Sequence, residues 1–177
     1  SAISLQAGET VTCVFTNQKD ANIVVVKQTD PDGDLTSFEF DPSYASNFFL
    51  SDGQSNNSGD LNPGAYSVAE ILPAGWDLES AVCVSSNLDL ETPASISLQA
   101  GETVTCTFTD EKDALIIVDK VTDPAGDPQS FTFNTTGTGY SGFSLTDADT
   151  PNNSGDLDPG TYSVSEVLPA GWDAGAT

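Results

Sequence analysis

Apolar and polar side chains alternate along this chain in short runs, separated by clusters of Gly, Pro, Asp and Asn. Residues 66–76 show the pattern best, reading Tyr-Ser-Val-Ala-Glu-Ile-Leu-Pro-Ala-Gly-Trp. A strand sends successive side chains to opposite faces, so Tyr66, Val68 and Glu70 point to a core while Ala65, Ser67 and Ala69 point to water. Pro73, Ala74 and Gly75 then make a turn, and Trp76 folds back to close the end of that core. Residues 162–172 repeat the stretch with Ser165 and Val167 as the only changes. This sets Tyr162, Val164 and Glu166 inward and Thr161, Ser163 and Ser165 outward. A carboxylate at the end of a buried face is costly unless something there needs it. Glu70 and Glu166 therefore ask for partners.

Read throughout, the alternation predicts strands over about residues 22–29, 36–41, 46–51, 64–71, 79–86, 94–99 and 102–110. The sequence is also an internal repeat. Residues 3–13 recur as 96–106, and 22–27 match 115–120 at the same spacing. Residues 57–61 match 153–157 with three further residues inserted, near 135–141 and 149–151. Repeats of this length, with short strands and turn signals between them, predict one β-sandwich each. The expected class is all-β, with tandem Ig-like sandwiches arranged end to end. Residues 22–113 hold a full set of strands. Residues 1–21 read as the C-terminal strands of a preceding repeat, and 114–177 as the N-terminal part of a following one. The connector at 111–114 is too short to let neighbouring sandwiches swing.

Composition narrows the function. The chain has 177 residues, 27 acidic and 4 basic, for a net charge of −23, and it contains neither His nor Met. That excludes a serine hydrolase triad and His-based metal or acid–base chemistry. So few cations cannot hold nucleic acid through its phosphates. No run approaches the ~20 apolar residues of a membrane span, and no basic-then-apolar leader appears.

The strand parities place three polar residues on the inward face of each copy. Ile23, Val25 and Lys27 share a face of the first strand, as Ile116, Val118 and Lys120 do in the next copy. Val104, Cys106, Phe108 and Asp110 share a face of the last strand, and Val11, Cys13, Phe15 and Asn17 are their earlier equivalents. A Lys desolvated in apolar surroundings tends to lose its proton and become a nucleophile. A buried Glu, pushed towards its neutral form, can hydrogen-bond an Asn or Asp carbonyl and shuttle protons to the leaving water or ammonia. The expected product is an amide between first and last strands: Lys27 to Asp110 with Glu70 assisting, and Lys120 to a residue equivalent to Asn17 with Glu166 assisting. The same residues also allow a simpler arrangement, in which Lys27 reaches solvent and forms an ordinary ion pair with Asp110 or Glu70.

These motifs resemble the Cna B-type, prealbumin-like domains of Gram-positive pilins (SpaA pilin-like) and surface adhesins. Such domains carry Lys in a first-strand V-x-K-x-D/T motif, matched by residues 25–29. Their Y-x-V-x-E-x-x-P-x-G-(Y/W) motif is matched by residues 66–76, and their final F-T-N motif by 108–110 and by 15–17. The resemblance implies a prealbumin-like sandwich, a self-formed cross-link with no enzymatic turnover, and a place outside the cell. This sequence departs from the pilin pattern by carrying cysteines. In that it is similar to a subgroup of prealbumin-like repeats from large bacterial surface proteins, in which a cystine does the stapling. The resemblance thus implies a Cys83–Cys106 bridge, worth about 3 kcal/mol by loop entropy and requiring an oxidising setting. Two buried free thiols are the alternative. Cys13 aligns with Cys106, and its own partner would fall before Ser1.

Weaker signals remain. Asp30, Asp32 and Asp34 have the alternate oxygens of a calcium loop, although an acidic turn explains them too and the second copy lacks the middle carboxylate. Asn56, Asn134 and Asn152 head N-x-S/T sequons on predicted loops, where Asn-Asn-Ser-Gly is equally natural turn chemistry; surface glycans would follow from the first reading. No other cofactor is expected.

Two functions fit these features. One is a structural subunit or segment of an extracellular, pilus-like filament of covalently stapled sandwiches. The other is the stalk of a large cell-surface adhesin whose ligand-binding part lies elsewhere. Near-identical repeats and short connectors favour the filament, with another copy of the protein as head-to-tail partner. The ends of the sequence suggest either a window on a longer repeating polypeptide or a subunit whose residues 1–17 complete a neighbour by strand addition. The first is preferred because the second leaves Cys13 unpartnered. Either gives a contact that does not close on itself.

Overall fold

The computed structural model describes residues 2–175, and its regular structure is all β. Nine strands form the first unit: β1 (Asn22–Asp30), β2 (Phe38–Pro42), β3 (Phe48–Leu50), β4 (Ser55–Asn57), β5 (Gly64–Tyr66), β6 (Val68–Ile71), β7 (Trp76–Ser85), β8 (Ile96–Leu98) and β9 (Thr103–Lys112). One sheet has the order β4-β1-β9-β7, a second β3-β2-β6, and β5 pairs with β8. The first and last long strands, β1 and β9, lie side by side and parallel, in register from Asn22 opposite Thr103 to Asp30 opposite Glu111. Alternation is the cause of the layering. Ile23 and Val25 of β1 and Val104, Cys106 and Phe108 of β9 project into one core with Phe38, Phe40, Leu50, Val68, Ile96 and Leu98. Trp76 closes the end of this core, its ring edge-on to Phe38 at 5.0 Å.

All seven strands expected in the full repeat are present, with two differences. Residues 64–71 form two strands. The backbone passes from β5, paired with β8, to β6, paired with β2, and the break falls at Ser67, whose N–H donates to Ser43 Oγ. The other difference is β4, which the alternation does not predict. Its residues Ser-Asn-Asn carry no apolar periodicity, and what makes them a strand is the edge of β1 that they cover.

A second unit repeats part of the first. It contains β10 (Ile117–Val118), β11 (Phe131–Thr136), β12 (Phe143–Leu145), β13 (Asn152–Asn153) and β14 (Ser163–Val167). β10 pairs with β13 as β1 does with β4, and β12-β11-β14 mirrors β3-β2-β6. Phe131, Phe133 and Leu145 form its core, with Val118, Phe143 and Trp172 packed against them. The insertion at 135–141 keeps an aromatic contact of the first unit. Tyr140 meets Tyr162 at 6.3 Å, as Tyr44 meets Tyr66 at 6.1 Å. Gly137 makes the turn at φ +115°, where a Cβ would run into the Tyr162 ring.

Residues 2–20, expected to contain strands, form none and are exposed. A strand is held by its neighbour, and no sheet among the described residues pairs with that segment.

Candidate functional site

Lys27 on β1, Glu70 on β6 and Asp110 on β9 meet between the two sheets of the first unit. Lys27 Nζ lies 2.6 Å from Asp110 Oδ2 and 3.3 Å from Glu70 Oε1, and none of the three side chains is more than 2% exposed. The amine donates to the carbonyl of Gln28 at 2.9 Å and sits 4.2 Å from the centre of the Phe38 ring, a cation–π contact. Phe38 in turn is backed by Trp76, so the tryptophan of the turn motif walls the site indirectly. Apart from that amine, the carboxyl oxygens of Glu70 and Asp110 have no hydrogen-bond partner. Buried polar atoms are nearly always hydrogen-bonded, so two dry carboxyls against one amine call for an explanation. Burial raises Glu70 to about 7, with the nearby Asp110 carboxylate pushing the same way and Lys27 opposing. A carboxyl poised there can hold a proton or release it.

The second unit carries a half-built counterpart. Lys120 Nζ is 2.9 Å from Glu166 Oε1, with side chains 14% and 26% exposed. Its amine lies 3.9 Å from the Phe131 ring, and Phe131 meets Trp172 edge-on at 5.0 Å, reproducing the Lys27–Phe38–Trp76 stack. Lys120, Glu166, Trp172 and Asp173 line an open groove of about 400 Å³. Asn17, the residue of the third type, is exposed on the N-terminal segment and is not brought to this site.

Cys83 and Cys106 are disulfide-bonded directly opposite one another in the antiparallel β7–β9 ladder, and Cys13 is free and exposed. The loop at 30–34 is held by a different carboxylate from those its sequence suggested. Asp52 accepts from the N–H groups of Thr29 at 2.7 Å and Gly33 at 2.8 Å, which lower its pKa, Gly33 most. Asp34 is paired with Lys112 at 2.7 Å, a contact that lowers it to about 2. Asp30, Asp32 and Asp34 do not form one of the acidic triads whose oxygens converge among the described residues; those are Asp77, Asp113 and Asp158, and Asp89, Glu91 and Glu102. Asp147 repeats the Asp52 clamp on Gly126 and Thr122. The sequons lie on strands and not on loops, with Asn56 in β4, Asn134 in β11 and Asn152 in β13. Ser58 and Ser154 close those edges by accepting from the N–H of Ile23 and Ile116, each at 2.9 Å.

Phe38, Phe131, Asp52 and Asp147 are the site residues that the sequence left unmarked. The Phe-x-Phe pair in each β2-type strand was the available signal for the aromatic floor. The two aspartates sit in turns where Asp is ordinary.

A family model described as a prealbumin-like fold domain matches residues 23–112. Among solved structures, the chain is similar to the major pilin protein T-13 of Streptococcus pyogenes, at 18% identity and a TM-score of 0.44, over 54% of this sequence and 46% of that one. It is also similar to the Bacillus anthracis TIE protein, at 23% identity and a TM-score of 0.45, over 89% of this sequence and 30% of that one. The chain thus spans less than half the length of either. No curated protein matches it.

Proposed function

The chain belongs to the family of prealbumin-like fold domains, and from that premise we propose that it is a structural segment of an extracellular filament whose sandwiches staple themselves by a Lys27–Asp110 amide. The observation that carries this reading is the dry contact of one amine with two carboxyls, 2.6 and 3.3 Å away, on the first, sixth and ninth strands. Lys27 Nζ attacks Asp110 Cγ, the amide C–N bond forms, a C–O bond of Asp110 breaks, and water leaves. Glu70 carries the proton from the amine to the departing oxygen. Phe38 and Trp76 keep bulk water out, so the charges are neutralised by condensation and not by solvent. Each sandwich reacts once, and no substrate turns over.

The end-to-end order of the units supports the filament. Strand β9 runs to Lys112, and Ala114 is already bridged to Leu157 of the second unit. The one residue between them, Asp113, leaves the units little freedom.

Intact-mass measurement of the oxidised protein tests the staple. The expected result is the loss of one water beyond the hydrogens lost to the cystine, with a linked Lys27–Asp110 peptide after digestion. A full mass, apart from the cystine, overturns it. Electron microscopy of the native material tests the filament, with isolated compact particles as the contrary result.

A further inference from the structure

We propose that the cavity beside the 135–141 insertion binds a neutral sugar ring, as a free sugar or at the end of a glycan. The second unit then carries a recognition site in addition to its structural role. This inference does not rest on the Lys27–Asp110 bond and stands whether or not that bond forms.

The insertion leads from β11 into β12, the outer strand of its sheet, and β13 follows on the edge of β10. Between them lies a cavity of about 330 Å³, walled chiefly by Tyr140, Ser141, Gly142, Phe143, Asn152 and Asn153. Ser141 and Gly142 are exposed, so the space opens to solvent on that side. Its volume is at the lower end of the range for ligand sites, about 300–1,000 Å³. It takes one sugar ring and cannot enclose a peptide segment.

The local sequence shapes this space. In the first unit Ala45, Ser46 and Asn47 separate Tyr44 from Phe48, and Asn47 Nδ2 donates to Glu39 Oε1 at 2.8 Å. In the second unit only Ser141 and Gly142 separate Tyr140 from Phe143. A Cβ at Gly142 would lie 2.9 Å from the carbonyl oxygen of Phe133, so the residue before Phe143 brings no side chain. The Thr135 hydroxyl donates to the Tyr140 carbonyl at 2.8 Å and holds the loop in place. Phe143 stacks on Phe133 at 5.0 Å, and the Tyr140 ring stands 6.2 Å from it. Two fixed aromatic rings therefore belong to the wall.

The polar groups name the ligand class. Tyr140 is only 6% exposed, yet its hydroxyl has no hydrogen-bond partner, and neither has the buried Oδ1 of Asn152. Buried polar atoms are nearly always satisfied, and a phenol with a carboxamide supplies both donors and acceptors. Their neighbours are already committed. Asn153 Oδ1 accepts from the Gly155 N–H at 2.9 Å, and Ser154 Oγ donates to the Gly155 carbonyl at 2.8 Å. Among the described residues no charged side chain lines the cavity, in a chain with 27 acidic groups. A divalent cation takes carboxylate oxygens and an anion takes Arg or Lys, so neither fits. A neutral sugar does fit: its hydroxyls donate and accept at once, and its apolar C–H face suits an aromatic wall.

The test titrates the whole, isotope-labelled protein with glucose, galactose, mannose and N-acetylglucosamine, each free and as the terminal ring of an oligosaccharide. Amide chemical shifts are read residue by residue. The expected result is saturable movement confined to residues 139–143 and 152–154, with 44–48 and 56–58 of the first unit unmoved. Tighter binding of the oligosaccharide identifies a glycan as the ligand, and equal binding identifies the free sugar. Tyr140→Phe keeps the ring, removes the hydroxyl and should weaken binding about threefold to tenfold. Gly142→Asn, which installs the first unit's residue, should abolish it; if that variant unfolds the second unit, Tyr140→Phe still decides. If none of the sugars moves these amides, or the shifts persist unchanged in Tyr140→Phe, the inference fails.

Discussion

Asp110 stands opposite Thr29 in the β1–β9 ladder, yet its Oδ2 is 2.6 Å from the amine of Lys27, two positions back on the same face. The lysine stem covers that diagonal inside the core, between Phe38 and the carboxyl of Glu70. The contact is shut away from water, and the counterpart at Lys120 is not. Amine-acylating reagents applied to the native protein should therefore modify Lys19, Lys112 and Lys120 and leave Lys27 untouched. Peptide mapping reads this directly, and labelling of Lys27 at the rate of Lys112 would contradict it.

Glu70 sets a pH window for the staple. It is raised from its usual 4.5 to about 7 by burial first and by Asp110 second, and it must hold a proton to pass one on. The rate of water loss after refolding should fall as pH rises through about 7. Glu70→Ala should abolish the reaction and leave the circular dichroism of the sheets recognisable. A rate that climbs steadily to pH 9 in the wild type would count against the role given to Glu70.

The Asp52 clamp should appear as an acid-sensitive increment of stability. Its folded pKa is depressed below 3.8 by the Gly33 and Thr29 amides, so its contribution is complete above that value and is lost as pH falls through the folded one. Asp52→Asn should lower the unfolding midpoint at pH 7. The gap to the wild type should close as pH falls below about 4. Urea melts across that range decide it.

The cystine and the tryptophan wall should both cost stability when removed. Reducing Cys83–Cys106 opens a loop of 23 residues and should cost about 3 kcal/mol. Trp76→Ala empties a buried aromatic site against Phe38 and should cost about 3–5 kcal/mol. It should also slow the staple by admitting water. Denaturant unfolding of each form, with m held constant, gives the comparison.

The strands and most inward residues of the first unit were readable because period-two alternation is a local signal. Val11, Phe15 and Val164, placed inward by the same parity, are exposed where no neighbouring strand covers them. Ile23, Val25 and Lys27, and Val104 to Asp110, lie as their parity required. The internal repeat did the rest, since each motif could be checked against its second copy. Features that depend on a neighbour were not readable. Polar Ser55–Asn57 is a strand only because β1 offers an edge, and Ser67 breaks a continuous pattern because two sheets compete for its flanks. The Asp52 clamp joins residues about twenty positions apart through turn chemistry that looks ordinary in either place. At Asp30, Asp32 and Asp34 the spacing suggested a cation loop, whereas Asp34 instead faces Lys112.

The parallel pairing of β1 with β9 has a mechanical consequence. Tension along the molecule enters at Asn22 and leaves at Lys112, at opposite ends of two adjacent strands pointing the same way. The ladder is then pulled in shear, and all its rungs resist together, whereas a hairpin pulled at its open end unzips one rung at a time. A bond from Lys27 to Asp110 would cross that ladder near its exit, so residues 28–109 would feel no load and could not be drawn out.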